Sequence, residues 1–151
     1  MHNAKCTLHN TVRILCVVYC AACLAACSIP NLDSPECAAA RDVAKKYYSL
    51  AVGGDPMSHP EVLAKLKALR APNFSASPAA EGDPYYYSSV PPTSYRADEC
   101  SPLSDGRVKI EITVIWRVND KNSIRKDWVT VAKSNDTWLV EHIDVGAQPQ
   151  L

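Results

Sequence analysis

"VKIEITVIWRVNDKNSIRKDWVTVAKSNDTWLVEHIDV", residues 108 to 145, carries the strongest periodicity in the chain. From Val108 through Ile110, Ile112, Val114 and Trp116 to Val118 every second residue is apolar, with Lys109, Glu111, Thr113, Ile115 and Arg117 between them. Successive side chains of a strand point to opposite faces, so this spacing predicts one long strand with an apolar face. "NDKN" at 119 to 122 turns the chain into a second strand, about Ile124 to Lys133, and "SNDT" at 134 to 137 turns it into a third, Trp138 to Val145.

Loop length sets the register. A two-residue loop at Asn135-Asp136 puts Val131 opposite Val140 and Val129 opposite His142. A four-residue loop over Asn119 to Asn122 puts Ile112 opposite Val129 and Ile110 opposite Val131. Both assumptions place Ile110, Ile112, Val129, Val131, Trp138 and Val140 on one face, and Thr113, Trp128 and Ile143 on the other. His142 then projects from the apolar face of the last two strands, with Asp144 on the same side.

Two amphipathic helices precede the strands. Ser34 can cap, Pro35 suits the first helical position and Glu36 the positive end of the helix dipole. Ala40, Val43, Ala44, Tyr47, Leu50 and Ala51 then share one face until Gly53-Gly54. Ser58-His59-Pro60-Glu61 starts the second helix, with His59 as a cap-region residue, and Val62, Leu63, Leu66 and Leu69 form its stripe up to Pro72. Residues 75 to 92 contain Pro78, Gly82, Pro84, Pro91 and Pro92 and read as a long surface loop interrupted by Tyr85-Tyr86-Tyr87.

Helices before strands indicate an α+β domain. Together with "ARDVAKKYYSL" and the last strand carrying Trp138 and Ile143, this layout resembles the nuclear transport factor 2-like superfamily over about Ala38 to Val145, specifically its small exported branch. The resemblance implies amino-terminal helices packed on a curved antiparallel sheet, a cone that often holds a pocket, and, in enzymatic members, an acid or histidine on the concave side as general base. His142 and Asp144 are therefore the catalytic candidates, an imidazole being suited to proton transfer near neutrality. The plainer reading is a histidine near a strand end that reaches solvent or a carbonyl, with Asp144 a rim charge. Tyr85, Tyr86 and Tyr87 are candidates for a ligand or partner surface, or else cover the core beneath their loop.

The first 26 residues contain Lys5 and Arg13 but no acid, and run apolar from Ile14 through Ala26. A basic start, a short apolar middle and small residues at the end make a secretory signal, and 13 apolar residues are too short for the roughly 30 Å hydrocarbon core of a bilayer. Leu24-Ala25-Ala26-Cys27 resembles the bacterial lipobox, which implies diacylglyceryl attachment at the Cys27 sulfur, cleavage after Ala26 and acylation of the new amino terminus. Each buried CH₂ contributes about 0.8 kcal/mol, so two or three acyl chains hold a protein durably on a membrane. Ser28 after the lipidated cysteine resembles an outer-membrane sorting signal, which points to the periplasmic face. The alternative is an ordinary signal peptide cleaved at a small-residue site. A zinc site from Cys16, Cys20, Cys23 and Cys27 lacks polar supporting groups in so apolar a run, and no metal is expected.

The chain then divides into a signal peptide 1–26, a tether 27–33 and one domain 34–151. In the mature part Cys37 and Cys100 remain, an even count that reads as one disulfide in an oxidising envelope. The full chain has 16 basic and 16 acidic residues, which disfavours nucleic acid as a partner. No G-x-S-x-G, H-E-x-x-H, P-loop or dinucleotide fingerprint occurs in the mature chain, and no cofactor is expected. Three functions stay open: a non-enzymatic binding module for a protein or small apolar ligand, an isomerase or dehydratase using His142 in the cone, and a structural lipoprotein of an envelope assembly.

Overall fold

The computed structural model describes residues 33–77 and 85–148. The expected signal peptide, Cys27 and the expected tether before Asp33 lie outside the described residues, as does the middle of the proline-rich loop. The elements are α1 (Pro35–Gly53), α2 (Pro60–Ala68), β1 (Arg70–Ser77), β2 (Ser94–Pro102), β3 (Val108–Val118), β4 (Lys121–Ser134) and β5 (Thr137–Asp144). The strands make one sheet in the order β1-β5-β4-β3-β2, antiparallel throughout except for the parallel pair β1·β5.

Helix α1 begins as its sequence dictates: the Cys37 N–H donates to Ser34 Oγ at 3.2 Å, with Pro35 in the first turn. Cys37, Ala40, Ala44, Tyr47, Tyr48 and Ala51 are its buried stripe, and Val43 and Leu50 flank it. Small residues at 40, 44 and 51 let the helix approach the sheet closely. It ends at Gly54, where a Cβ would lie 2.6 Å from both Leu50 O and Val62 Cγ1. Helix α2 starts after His59, which makes no side-chain cap bond, and stops at Ala68, short of Pro72.

Residues 70–77 depart from the sequence reading: they form β1, where the end of a helix and the start of a loop were expected. "RAPNFSAS" has no apolar alternation, and its partner β5 lies far along the chain, so nothing local announces it. Pro72 is tolerated because β1 is a terminal strand of the sheet and the proline is exposed. With β2 added, the sheet has five strands where the sequence reading specified three.

Both hairpin loops are two-residue turns with positive φ at each position: Asn119 (49°) and Asp120 (59°), then Asn135 (47°) and Asp136 (64°). The second matches its expected register, Val131 facing Val140. The first is tighter than the four-residue loop expected, so β3 and β4 slide by two residues and Ile110, not Ile112, lies opposite Val129. A slide of two keeps every side chain on its face, and the interior set survives. The β4·β5 ladder then breaks between Thr130 and Val131: His142 pairs with Thr130 and Ile143 with Val129, leaving Glu141 as the extra residue of a bulge. Ile143 thereby turns inward and is fully buried, and His142 turns outward, the reverse of the expected assignment.

The core is the concave face of β3, β4 and β5 (Val108, Ile110, Ile112, Val114, Trp116, Val129, Val131, Val140, Ile143) closed by α1 and Leu66. Each fully buried Val, Ile or Leu contributes about 1.5–3 kcal/mol. Cys37 in the first turn of α1 is disulfide-bonded to Cys100 on β2, Cα–Cα 5.9 Å, which fastens the helix to the far edge of the sheet.

Candidate functional site

Inside the cone the period-two pattern of β4 does not stop at Val129. Asp127 and Arg125 continue the same face and are fully buried charges against the hydrophobic core. Burying two ions is costly unless their polar atoms are bonded. Arg125 donates from Nε and Nη2 to the two oxygens of Asp127 at 2.7 and 2.9 Å, a bidentate pair. Its other donors reach the carbonyls of Tyr87 (2.6 Å) and Tyr86 (2.8 Å) and Gln148 Oε1 (3.2 Å). Asp127 accepts two further bonds, from Tyr48 Oη at 2.9 Å and from the Gly146 N–H at 3.0 Å. Burial pushes the Tyr48 phenol well above its ordinary range, so it stays a donor. Gly146 is required here, since a Cβ would fall 2.1 Å from Lys126 O. The cluster thus pins three segments, α1, the tyrosine segment and the carboxyl-terminal tail, to β4.

A second interior group lies at Arg70, the first residue of β1. Its Nε and Nη2 donate to Tyr47 Oη at 3.1 and 2.5 Å. Its guanidinium carbon lies 4.1 Å from the Phe74 ring centroid and 5.4 Å from that of Tyr85. These are cation–π distances. Burial raises the Tyr87 phenol, and its hydroxyl is a buried polar atom with no hydrogen bond inside 3.5 Å. Tyr85 and Tyr87 belong to the core cluster, and Tyr86 is half-buried. The triplet thus contributes rings to the interior and carbonyls to Arg125.

The histidine candidate lies elsewhere. The bulge at Glu141 carries His142 to the outer face, between Ser75 on β1 and Asp144. Its Nδ1 is 2.7 Å from Ser75 Oγ and its Nε2 3.0 Å from Asp144 Oδ1. Lys109 Nζ stands 3.6 Å from the other oxygen of Asp144 and 5.1 Å from the Trp128 ring centroid. The structure therefore brings His142 and Asp144 together, but not in the cone. Beside them Glu141 accepts from Asn73 and Arg107, whose bonds hold its carboxyl below the ordinary range. Among the described residues no group of three His, Cys, Asp or Glu side chains is placed to hold a metal.

Arg125, Asp127, Arg70 and Ser75 were not singled out by sequence reasoning. For the first two a signal exists: extrapolating the Val129, Val131 face backwards by two residues at a time reaches Asp127 and Arg125. For Arg70 and Ser75 none does, because their strand is itself silent.

Scanned against protein-family models the chain matches none, and no curated protein matches it. Among solved structures it is similar to a designed protein, Rd1NTF2_05 carrying several substitutions, at 19% identity and TM-score 0.50, over 71% of this chain and 96% of that one. It is also similar to a protein from Xanthomonas campestris named as a putative calcium/calmodulin dependent protein kinase II association domain, at 15% identity and TM-score 0.52, over 82% and 94% of the two chains. At such identities the likeness establishes the fold, which is the nuclear transport factor 2-like cone of helices on a curved sheet.

Proposed function

We propose that this chain is a lipid-anchored cell-envelope protein whose cone works as a binding or interaction module rather than as a catalytic chamber. The observation that carries the reading is the saturation of Asp127. A general base needs a lone pair free for a substrate proton, and this carboxylate already accepts four hydrogen bonds. The base of the isomerase or dehydratase alternative, His142, faces away from the interior. What the interior offers instead is an aromatic wall, Tyr47, Phe74 and Tyr85, around the half-buried cation of Arg70, which suits the apolar body of a small ligand or a partner's side chain.

The lipobox Leu24-Ala25-Ala26-Cys27 supports the anchor, and a downstream cysteine pair joined as a disulfide suits an oxidising compartment. Ser28 supports the periplasmic face of the outer membrane as the address. Two measurements test the proposal. A clickable palmitate analogue is expected to label the wild type and not Cys27→Ala, which accumulates as precursor; normal release of a soluble mature form by that variant removes the anchor. Native mass spectrometry of the full chain, extracted from its own membranes in mild detergent, is expected to show a co-purifying mass that Arg70→Ala loses. Turnover of an enolisable ketone or a dehydratable hydroxy-carbonyl, abolished by Asp127→Asn in a folded protein, overturns the module reading.

A further inference from the structure

The outer face of the sheet holds an arrangement that the binding reading does not use. We propose that Ser75, His142 and Asp144 form a nucleophile relay that takes an acyl group from a carboxylic ester presented at the β1 edge of the sheet. The relay needs three things, and each is present. The nucleophile must be accessible, and Ser75 is exposed. A base must lie within hydrogen-bond reach of its hydroxyl, and His142 Nδ1 is 2.7 Å from Ser75 Oγ. A third group must hold the other ring nitrogen, and Asp144 Oδ1 is 3.0 Å from Nε2.

The tautomer follows from chemistry. An ionised carboxylate only accepts, so Nε2 carries the proton, donates it to Asp144, and leaves the Nδ1 lone pair facing the serine hydroxyl. The ring nitrogens thus exchange the roles they have in the familiar protease triad, while the order of groups is the same. The local fold builds this geometry. Ser75 and His142 are direct neighbours in the parallel ladder, and the one-residue bulge at Glu141 turns His142 out of the core to meet Ser75. Bulges that re-aim a side chain occur at functional sites more often than elsewhere.

The backbone adds a candidate oxyanion donor. The Val145 N–H bonds to the Ser77 carbonyl, so Ser77 faces β5 and, by alternation, the N–H of Ala76 points to the other side of β1, beyond which no described strand lies. In the reaction Ser75 Oγ bonds to the ester carbonyl carbon while its proton moves to Nδ1 and the carbonyl π pair moves onto oxygen. Collapse breaks the bond to the leaving alkoxide, which takes the proton from Nδ1 and departs as the alcohol. Water repeats the cycle and releases the acid. An open site on a sheet edge suits an ester carried on a larger molecule.

The test uses the full chain in detergent with a fluorophosphonate probe, whose P–F bond breaks as Ser75 Oγ bonds to phosphorus, followed by peptide mapping. The expected result is label on Ser75, at a rate well above that at exposed Ser94. Ser75→Ala removes it, His142→Gln slows it by about 100-fold or more, and Asp144→Asn slows it by about tenfold. A p-nitrophenyl ester should release one equivalent of nitrophenolate in a burst that Ser75→Ala abolishes. Label at Ser75 no faster than at exposed Ser94, or unchanged in a folded His142→Gln variant, overturns the proposal. If that variant fails to fold, a folded Asp144→Asn variant decides, and an unchanged rate of Ser75 labelling in it overturns the proposal. Failure here leaves the binding reading standing, since the relay and the interior occupy opposite faces of β5.

Discussion

Replacing Asp127 by Asn tests whether the buried pair holds the cone together. The substitution keeps size and shape, removes one charge, and leaves the Arg125 guanidinium buried with nothing to neutralise it. It also sets an amide N–H₂ where oxygens now accept from Arg125, Tyr48 and Gly146, so at least one of the four bonds becomes a donor facing a donor. Breaking one member of a buried ion pair costs about 3–5 kcal/mol. For a domain of this size roughly 3–5 °C of melting temperature corresponds to each kcal/mol, so a fall of about 9–25 °C is expected. The assay is urea and thermal unfolding followed by circular dichroism, with Lys133→Gln as control. Lys133 pairs with Asp136 at 3.0 Å, but both are solvent-exposed, and its loss should leave the midpoint in place. A cost below about 1 kcal/mol for Asp127→Asn, or one equal to that of the control, refutes the reasoning.

The Cys37–Cys100 bridge closes a loop of sequence separation 63, so Cys100→Ser should cost up to about 4 kcal/mol in urea unfolding, and alkylation of the denatured, unreduced domain should label neither thiol. Gly146→Ala forces a Cβ to within 2.1 Å of Lys126 O and should destabilise by about 1–3 kcal/mol, whereas Ala at Gly53, where a Cβ meets nothing within 4 Å, should be neutral or stabilising. Acid should unfold the protein by a specific route. The Arg96 bond holds the Asp98 carboxyl below its ordinary 3.8, and the Asn73 bond holds Glu141 below 4.5, so the unfolded chain binds protons first. Stability from these groups is fully present above those values and lost as pH falls through the lowered ones. The melting temperature should be level from pH 7 to about 5 and drop below about 4, with a shallower drop in Asp98→Asn.

The β3–β5 meander was legible because two signals agree there: apolar residues at every second position, and Asn-Asp pairs that tolerate positive φ at both turn positions. Parity protected that reading, since an error of two residues in the first hairpin changed partners but no faces. A bulge has no such protection. One extra residue at Glu141 inverts everything beyond it, and no residue type marks it, so His142 and Ile143 exchanged sides. β1 was illegible for a different reason. Its stability comes from hydrogen bonds to a strand about 70 positions away rather than from its own pattern, and Ser75 and Arg70 were hidden with it. The interior ion pair could have been read by parity alone, had the charges not interrupted the apolar run that draws attention to a strand.

The bridge from Cys37 to Cys100 also governs how the domain bears mechanical load. A pull on the chain at Asp33 passes first to the Asp33–Arg41 ion pair and then, within the first turn of α1, to a covalent link into β2. The helix cannot be peeled from the sheet turn by turn, because traction bypasses it. Stretched between its ends in an oxidising medium, the domain extends only through the residues outside the loop, those before Cys37, which include Pro35 and Glu36 of α1, and the stretch after Cys100. The segment between the cysteines adds its contour length only once a reductant opens the bond. A protein held to a surface by a short amino-terminal tether would keep everything between Cys37 and Cys100 as one covalently closed loop under tension that unravels β3 to β5.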